Sequence, residues 1–112
     1  MCTQNTLDTI ISRIAAFSKE LFGDKFKSVI LYGSYARGDY DDESDIDIMI
    51  MVDMNREELV AYRNKINSFC ADLDLEYNVL LSSKLQSESF FDEWKTVLPF
   101  YKNVANEGVK YA

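Results

Sequence analysis

The stretch "GSYARGDYDDESDIDIMIMV", residues 33–52, sets six carboxylates in the nine positions from Asp39 to Asp47 and then runs into alternating apolar residues. Acids this dense repel one another, and a strand entering the core is a poor place to solvate them. Side chains of a strand alternate between faces, so Asp45 and Asp47 share one face, about 6–7 Å apart along the chain. Two carboxylates that close ordinarily raise each other's pKa and favour a shared proton. A divalent cation reverses the preference, because both can then stay ionised as hard oxygen ligands. Magnesium commonly takes one or two protein carboxylates and fills its shell with phosphate and water. Asp45 and Asp47 therefore read as metal ligands in a cradle for a metal–nucleotide complex. Asp39, Asp41, Asp42 and Glu43 read as a solvated acidic loop.

Gly33 and Ser34 stand ten residues ahead of the pair and open a helical turn, "SYAR". Backbone N–H groups at such a turn, with the Ser34 hydroxyl, suit phosphate oxygens, and Gly33 removes the Cβ that would obstruct their approach. Arg37, one turn on, either points at the same phosphates or pairs with an acid of the motif. Two other motifs fail. An EF-hand loop needs glycine where Ile46 stands and glutamate where Val52 stands. The Gly-x4-Gly spacing of a P-loop is present, but the Lys-Ser/Thr that does its work is missing.

Outward from the motif the chain alternates helix and strand. Leu7, Ile10, Ile11, Ile14, Phe17 and Leu21 recur at helical spacing, with Thr6 suited to cap the start and Gly23 just past the end. "SVILY" (28–32) and "DIDIMIMV" (45–52) read as strands flanking the motif turn. Leu59, Tyr62, Ile66, Phe69 and Leu73 mark a second long helix capped by Asn55. "LEYNVLL" (75–81) reads as a third strand, residues from about Ser87 to Val97 as a helix, and Pro99 starts another that Gly108 closes. "VKY" adds a short edge strand. The expectation is an α+β fold, a mixed sheet with helices packed on it, forming a single domain over 1–112.

The 12 basic and 19 acidic residues give a net charge of −7. That speaks against non-specific nucleic-acid binding, which needs a basic face to displace counterions. The absence of histidine and the presence of only Cys2 and Cys70 speak against a zinc site, and Cys70 sits at an apolar helical position suited to a core thiol. The first residues carry no leader pattern and no apolar stretch is long enough to span a membrane, so the expected place is the reducing cytoplasm.

Gly33-Ser34, ten residues, then Asp45-Ile46-Asp47 resembles the signature of the polymerase-β-like nucleotidyltransferase superfamily. "GSYARGDYDDESDIDIMI" is similar in particular to the minimal nucleotidyltransferases, and the tail "LPFYKNVANEGVKY" fits as well. The resemblance implies the polymerase-β-like fold, with the first strand antiparallel to the Asp-x-Asp strand so that Ser34 lies beside Asp45 and Asp47. It implies nucleotide contacts from Gly33, Ser34, Arg37 and Ser44, magnesium on the aspartates, and transfer of AMP from ATP. It also implies a third carboxylate from a later strand. On the strand read over 75–81, Glu76 is the candidate for that catalytic role, because Asn78, at the aligned position, is neutral and cannot act as a base. Larger relatives carry an acceptor-binding domain, so the acceptor site here is expected from a HEPN-domain partner or from homo-oligomerisation. The reading is an antitoxin that adenylylates its partner. The alternative is a weak or inactive module of the same fold that neutralises a partner by occlusion.

Overall fold

The computed structural model describes residues 3–41 and 43–111; Cys2 and Asp42 lie outside the described residues. The Asp-x-Asp strand is the middle of the sheet. It runs from Ile46 to Val52 (β2), with β1 (Phe26–Tyr32) antiparallel on one side and β3 (Leu81–Ser87) parallel on the other. A two-residue strand, β4 (Val109–Lys110), pairs antiparallel with β1 and gives the order β3-β2-β1-β4. The mixed sheet and its flanking helices make an α+β architecture, as expected.

Both faces of β2 are covered, which is why it reads as an almost unbroken apolar run. Its even positions, Ile46, Ile48, Ile50 and Val52, pack with Leu7, Ile10, Ile11 and Ile14 of helix α1 (Gln4–Phe22). The same core takes Ile66, Cys70 and Leu73 from helix α4 (Arg63–Tyr77). The odd positions Met49 and Met51 face the other way, against Phe91 of α5 (Glu88–Trp94) and Val104 of α6 (Pro99–Glu107). Asp47 belongs to that second face. Between β1 and β2 lies one helical turn, α2 (Ser34–Arg37). After β2 Asn55 is the expected cap, but of a four-residue helix, α3 (Arg56–Leu59), with Glu58 completing a capping box; a 3₁₀ turn then leads into α4. At the far end Gly108 is required for space, since a Cβ there would strike the Val104 carbonyl oxygen and Ile30 Cγ2.

Two sequence expectations need correcting. Helix α1 starts earlier than its apolar stripe shows, so its cap is Thr3, whose hydroxyl accepts the Thr6 N–H at 3.1 Å. The stretch 75–81 is not a strand. The stripe Ile66, Cys70, Leu73 continues to Tyr77, which packs on the core, so α4 runs on through Glu76. Asn78 then ends it in the left-handed conformation (φ 53°, ψ 53°), its N–H bonded to the Asp74 carbonyl. Asparagine adopts this conformation at low cost and is a frequent helix terminator. Strand β3 begins only at Leu81, so Glu76 does not lie on a strand beside the Asp-x-Asp pair. Cys70 is buried as expected, and burial pushes its thiol pKa up.

Asn78 is thus a helix terminator. Asn78→Gly is expected to be close to neutral, whereas Asn78→Val should cost about 1–2 kcal/mol in urea unfolding, the usual penalty of left-handed backbone for an L side chain.

Candidate functional site

Strand register brings the motif together. Tyr32, the last residue of β1, is paired with Asp47, so the turn beginning at Gly33 sits directly over the Asp47 carboxylate. Gly33 has φ 75° and ψ −153°, a region open essentially to glycine, and an added Cβ would overlap Asp47 Oδ2. Backbone conformation and close approach make the same demand. The turn is held by Ala36 and Arg37 N–H donating to the Gly33 carbonyl, both at 3.1 Å, and Gly38 ends it in the left-handed region. Tyr35 anchors it in the core, with the Tyr40 ring stacked on it at 4.1 Å.

A cavity of about 510 Å³ opens beside this turn, walled by Gly33, Ser34, Arg37 and Asp47 together with Ser82 and Lys84 of β3. Phe100, Asn103 and Glu107 of α6 close the far side. Arg37 pairs with an acid of the motif and with one of α6: its Nε donates to Asp39 at 3.1 Å and its Nη1 to Glu107 at 3.3 Å, and it also lines the cavity. Tyr32 lines the wall with its phenol pushed up to about 12 by burial and then by Asp47, so it stays protonated.

Asp47 is half-buried and its pKa is raised, first by burial and then by the charge of Asp45; Lys84 and Arg37 pull it partly back. Asp45 stands just ahead of the strand and is exposed. Asp74, at the end of α4, also feels Asp45, but its carboxylate is occupied by the Leu81 N–H at 2.9 Å. A half-buried carboxylate lying against a glycine, with a second, exposed carboxylate within electrostatic reach, fits a hard divalent cation.

Two other expected residues are placed elsewhere. Ser44 is engaged within the acidic loop, its hydroxyl donating to Asp41 Oδ1 at 3.2 Å and accepting the Asp41 N–H. Glu76 is exposed on α4 and paired with Arg13, which also bonds the Tyr77 hydroxyl at 3.1 Å. Glu76 is therefore not the third acid. The β3 partner of Asp47 is Ser82, and that of Met49 is Lys84. These are the neighbouring positions on the Asp47 face, and neither is a carboxylate. Among the described residues no group of three or more His, Cys, Asp or Glu side chains is placed to hold a metal. Ser82 and Lys84 were hidden from sequence reading because β3, "LSSKLQS", has no apolar alternation to mark it.

Comparison with known proteins agrees with this fold. The nucleotidyltransferase domain family matches residues 11–110. Two Methanocaldococcus jannaschii proteins named as candidate protein adenylyltransferases are close in sequence. One is 38% identical over 90 residues, spanning 80% of this chain and 82% of the relative. The other is 40% identical, spanning 75% of this chain and 90% of the relative. A crystal structure of a mutant toxin–antitoxin pair, MntA–HpeT, shares the fold with a TM-score of 0.56 and 14% identity, over 94% of this chain and 72% of that one. The chain belongs to the nucleotidyltransferase family, as its resemblance to the minimal nucleotidyltransferases implied.

Two outcomes follow from the Asp47 environment. A carboxyl whose pKa rises on folding holds its proton more tightly in the folded state. Stability present at acid pH is then lost as pH climbs from the ordinary carboxylate value to the raised one. Asp47→Asn should therefore raise the melting temperature of the nucleotide-free protein at neutral pH and flatten its dependence on pH across that window. Gly33→Ala should cost about 1–3 kcal/mol in chemical unfolding, from the backbone conformation alone.

Proposed function

We propose that this chain transfers AMP from magnesium-bound ATP to a hydroxyl group of a partner protein, and that it acts in this way as an antitoxin toward a HEPN-type partner in the cytoplasm. The observation that carries the reading is the meeting of Gly33, Ser34 and Asp47 at one cavity wall, with Asp45 within electrostatic reach. The names of the M. jannaschii relatives and the toxin–antitoxin context of the structural neighbour support the adenylyl donor and the partner.

In this reading Asp45 and Asp47 would hold magnesium, which when bound offsets phosphate charge and orients the reacting groups. Ser34 donates its hydroxyl to a triphosphate oxygen, and Arg37 and Lys84 face the remaining phosphate charge across the cavity. The acceptor oxygen bonds to the α-phosphorus as the α–β P–O bond breaks. Pyrophosphate leaves, and the acceptor's proton passes to solvent.

One observation favours a second reading, a slow or silent nucleotidyltransferase that neutralises its partner by occlusion: Ser82 and Lys84 stand where the neighbouring strand would present an acid. A positioned base contributes about 10²–10⁴-fold, so its loss would slow transfer while sparing nucleotide binding.

ATP with magnesium should raise the melting temperature, and the double variant Asp45→Asn/Asp47→Asn should abolish the rise. Labelled AMP transfer to the co-expressed partner should fall with it. Ser82→Asp should accelerate transfer with little change in nucleotide affinity. If the double variant binds ATP as the parent does, the metal cradle is wrong. A partner neutralised by a parent that transfers no label would establish occlusion instead.

A further inference from the structure

Resting on the adenylyl-transfer reading, we infer that the free edge of β3 docks the acceptor as an added strand, an extended protein segment with acidic residues at alternate positions. Strand β3 is the sheet's outer strand on its side, paired among the described residues only with β2. In a parallel ladder alternate residues direct both backbone groups to one neighbour. Ile46 N–H donates to the Leu80 carbonyl, so residues 82, 84 and 86 serve β2 and residues 81, 83 and 85 face outward. The Leu81 N–H is already taken by Asp74. Ser83 and Leu85 present their N–H and C=O groups to a groove of about 490 Å³.

The groove's charge identifies its occupant. Arg56 and Arg63, carried by α3 and α4, and Lys84, carried by β3, line the groove and form no ion pair among the described residues, although the whole chain carries −7. Arg56 lies over the Phe90 ring at 4.2 Å and Lys84 lies 5.8 Å from the Phe100 ring. An added strand would turn alternate side chains toward Arg56 and Arg63, where carboxylates are matched. The intervening side chains would turn toward Lys84 and Phe100, which also wall the nucleotide cavity. A hydroxyl residue between two acids is thereby aimed at the triphosphate. The unpaired amides and carbonyls favour a polypeptide over a nucleic acid, because strand addition uses main-chain groups that a nucleic acid lacks.

The test uses the ¹⁵N-labelled full chain with ATP and magnesium, titrated with a pool of end-blocked heptapeptides carrying glutamate at positions two, four and six and random residues between. The amide resonances of Ser83 and Leu85 should shift. The double variant Arg56→Glu/Arg63→Glu should bind the pool about tenfold more weakly, or worse. A matched pool with lysine in place of glutamate should not bind. The melting rise with ATP and magnesium, measured on the same samples, separates the two claims. If that rise persists while the glutamate pool leaves Ser83 and Leu85 unmoved, or binds the double variant equally well, the docking inference falls alone. If the parent shows no rise, the nucleotide reading falls with it. Displacement of the peptides by oligouridylate from those same amides would make the groove a nucleic-acid site and overturn the inference.

Discussion

The site depends on one contact, that between the backbone of Gly33 and the carboxylate of Asp47. It exists because β1 and β2 are antiparallel and in a register that pairs Tyr32 with Asp47. The chain leaving β1 must turn across the top of β2, and only a residue without a Cβ can do so over an ionised side chain. The helical turn, the acidic loop and the cavity wall all follow from that turn. Period-2 geometry does the rest: with Asp47 on the α5–α6 face, Ile46 and Ile48 are necessarily in the opposite core.

The cost of this arrangement is electrostatic. Burial and Asp45 both oppose ionisation of Asp47, while Lys84 and Arg37 favour it. A fold selected for stability alone would not place a carboxylate there. The cations beside it are the counterpart of the acids. Arg37 is tied to Asp39 and Glu107, which ties the motif turn to α6. Lys84 extends from the neighbouring strand into the same cavity and forms no ion pair among the described residues. A cavity with anionic ligands at one wall and cations at another suits a molecule that is itself a metal complex of a polyanion.

How much of this was legible depended on distance along the chain. Gly33, Ser34, Asp45 and Asp47 lie within fifteen residues, and their spacing on a turn and a strand is local physics. Helix α1 and strand β2 declared themselves by period. The end of α4 did not, because Leu75, Tyr77, Val79 and Leu80 look like a strand by composition, whereas the stripe from Ile66 to Tyr77 continues at helical spacing. Asn78 was the overlooked signal, being a residue suited to left-handed backbone just past that stripe. Strand β3 therefore starts six residues later than composition suggests, and Glu76 lies on α4, paired with Arg13. Lys84, Asn103 and Glu107 reach the cavity only through sheet order and the packing of α6, which no local pattern encodes.

The most direct measurement is an anomalous diffraction map of crystals grown with manganese and a non-hydrolysable ATP analogue. The account predicts manganese in coordinating contact with Asp45 and Asp47, and the triphosphate lying between Ser34 and Lys84. Manganese bound at the α4 terminus around Asp74 and Glu76, or a triphosphate seated away from the Gly33 turn, would contradict it.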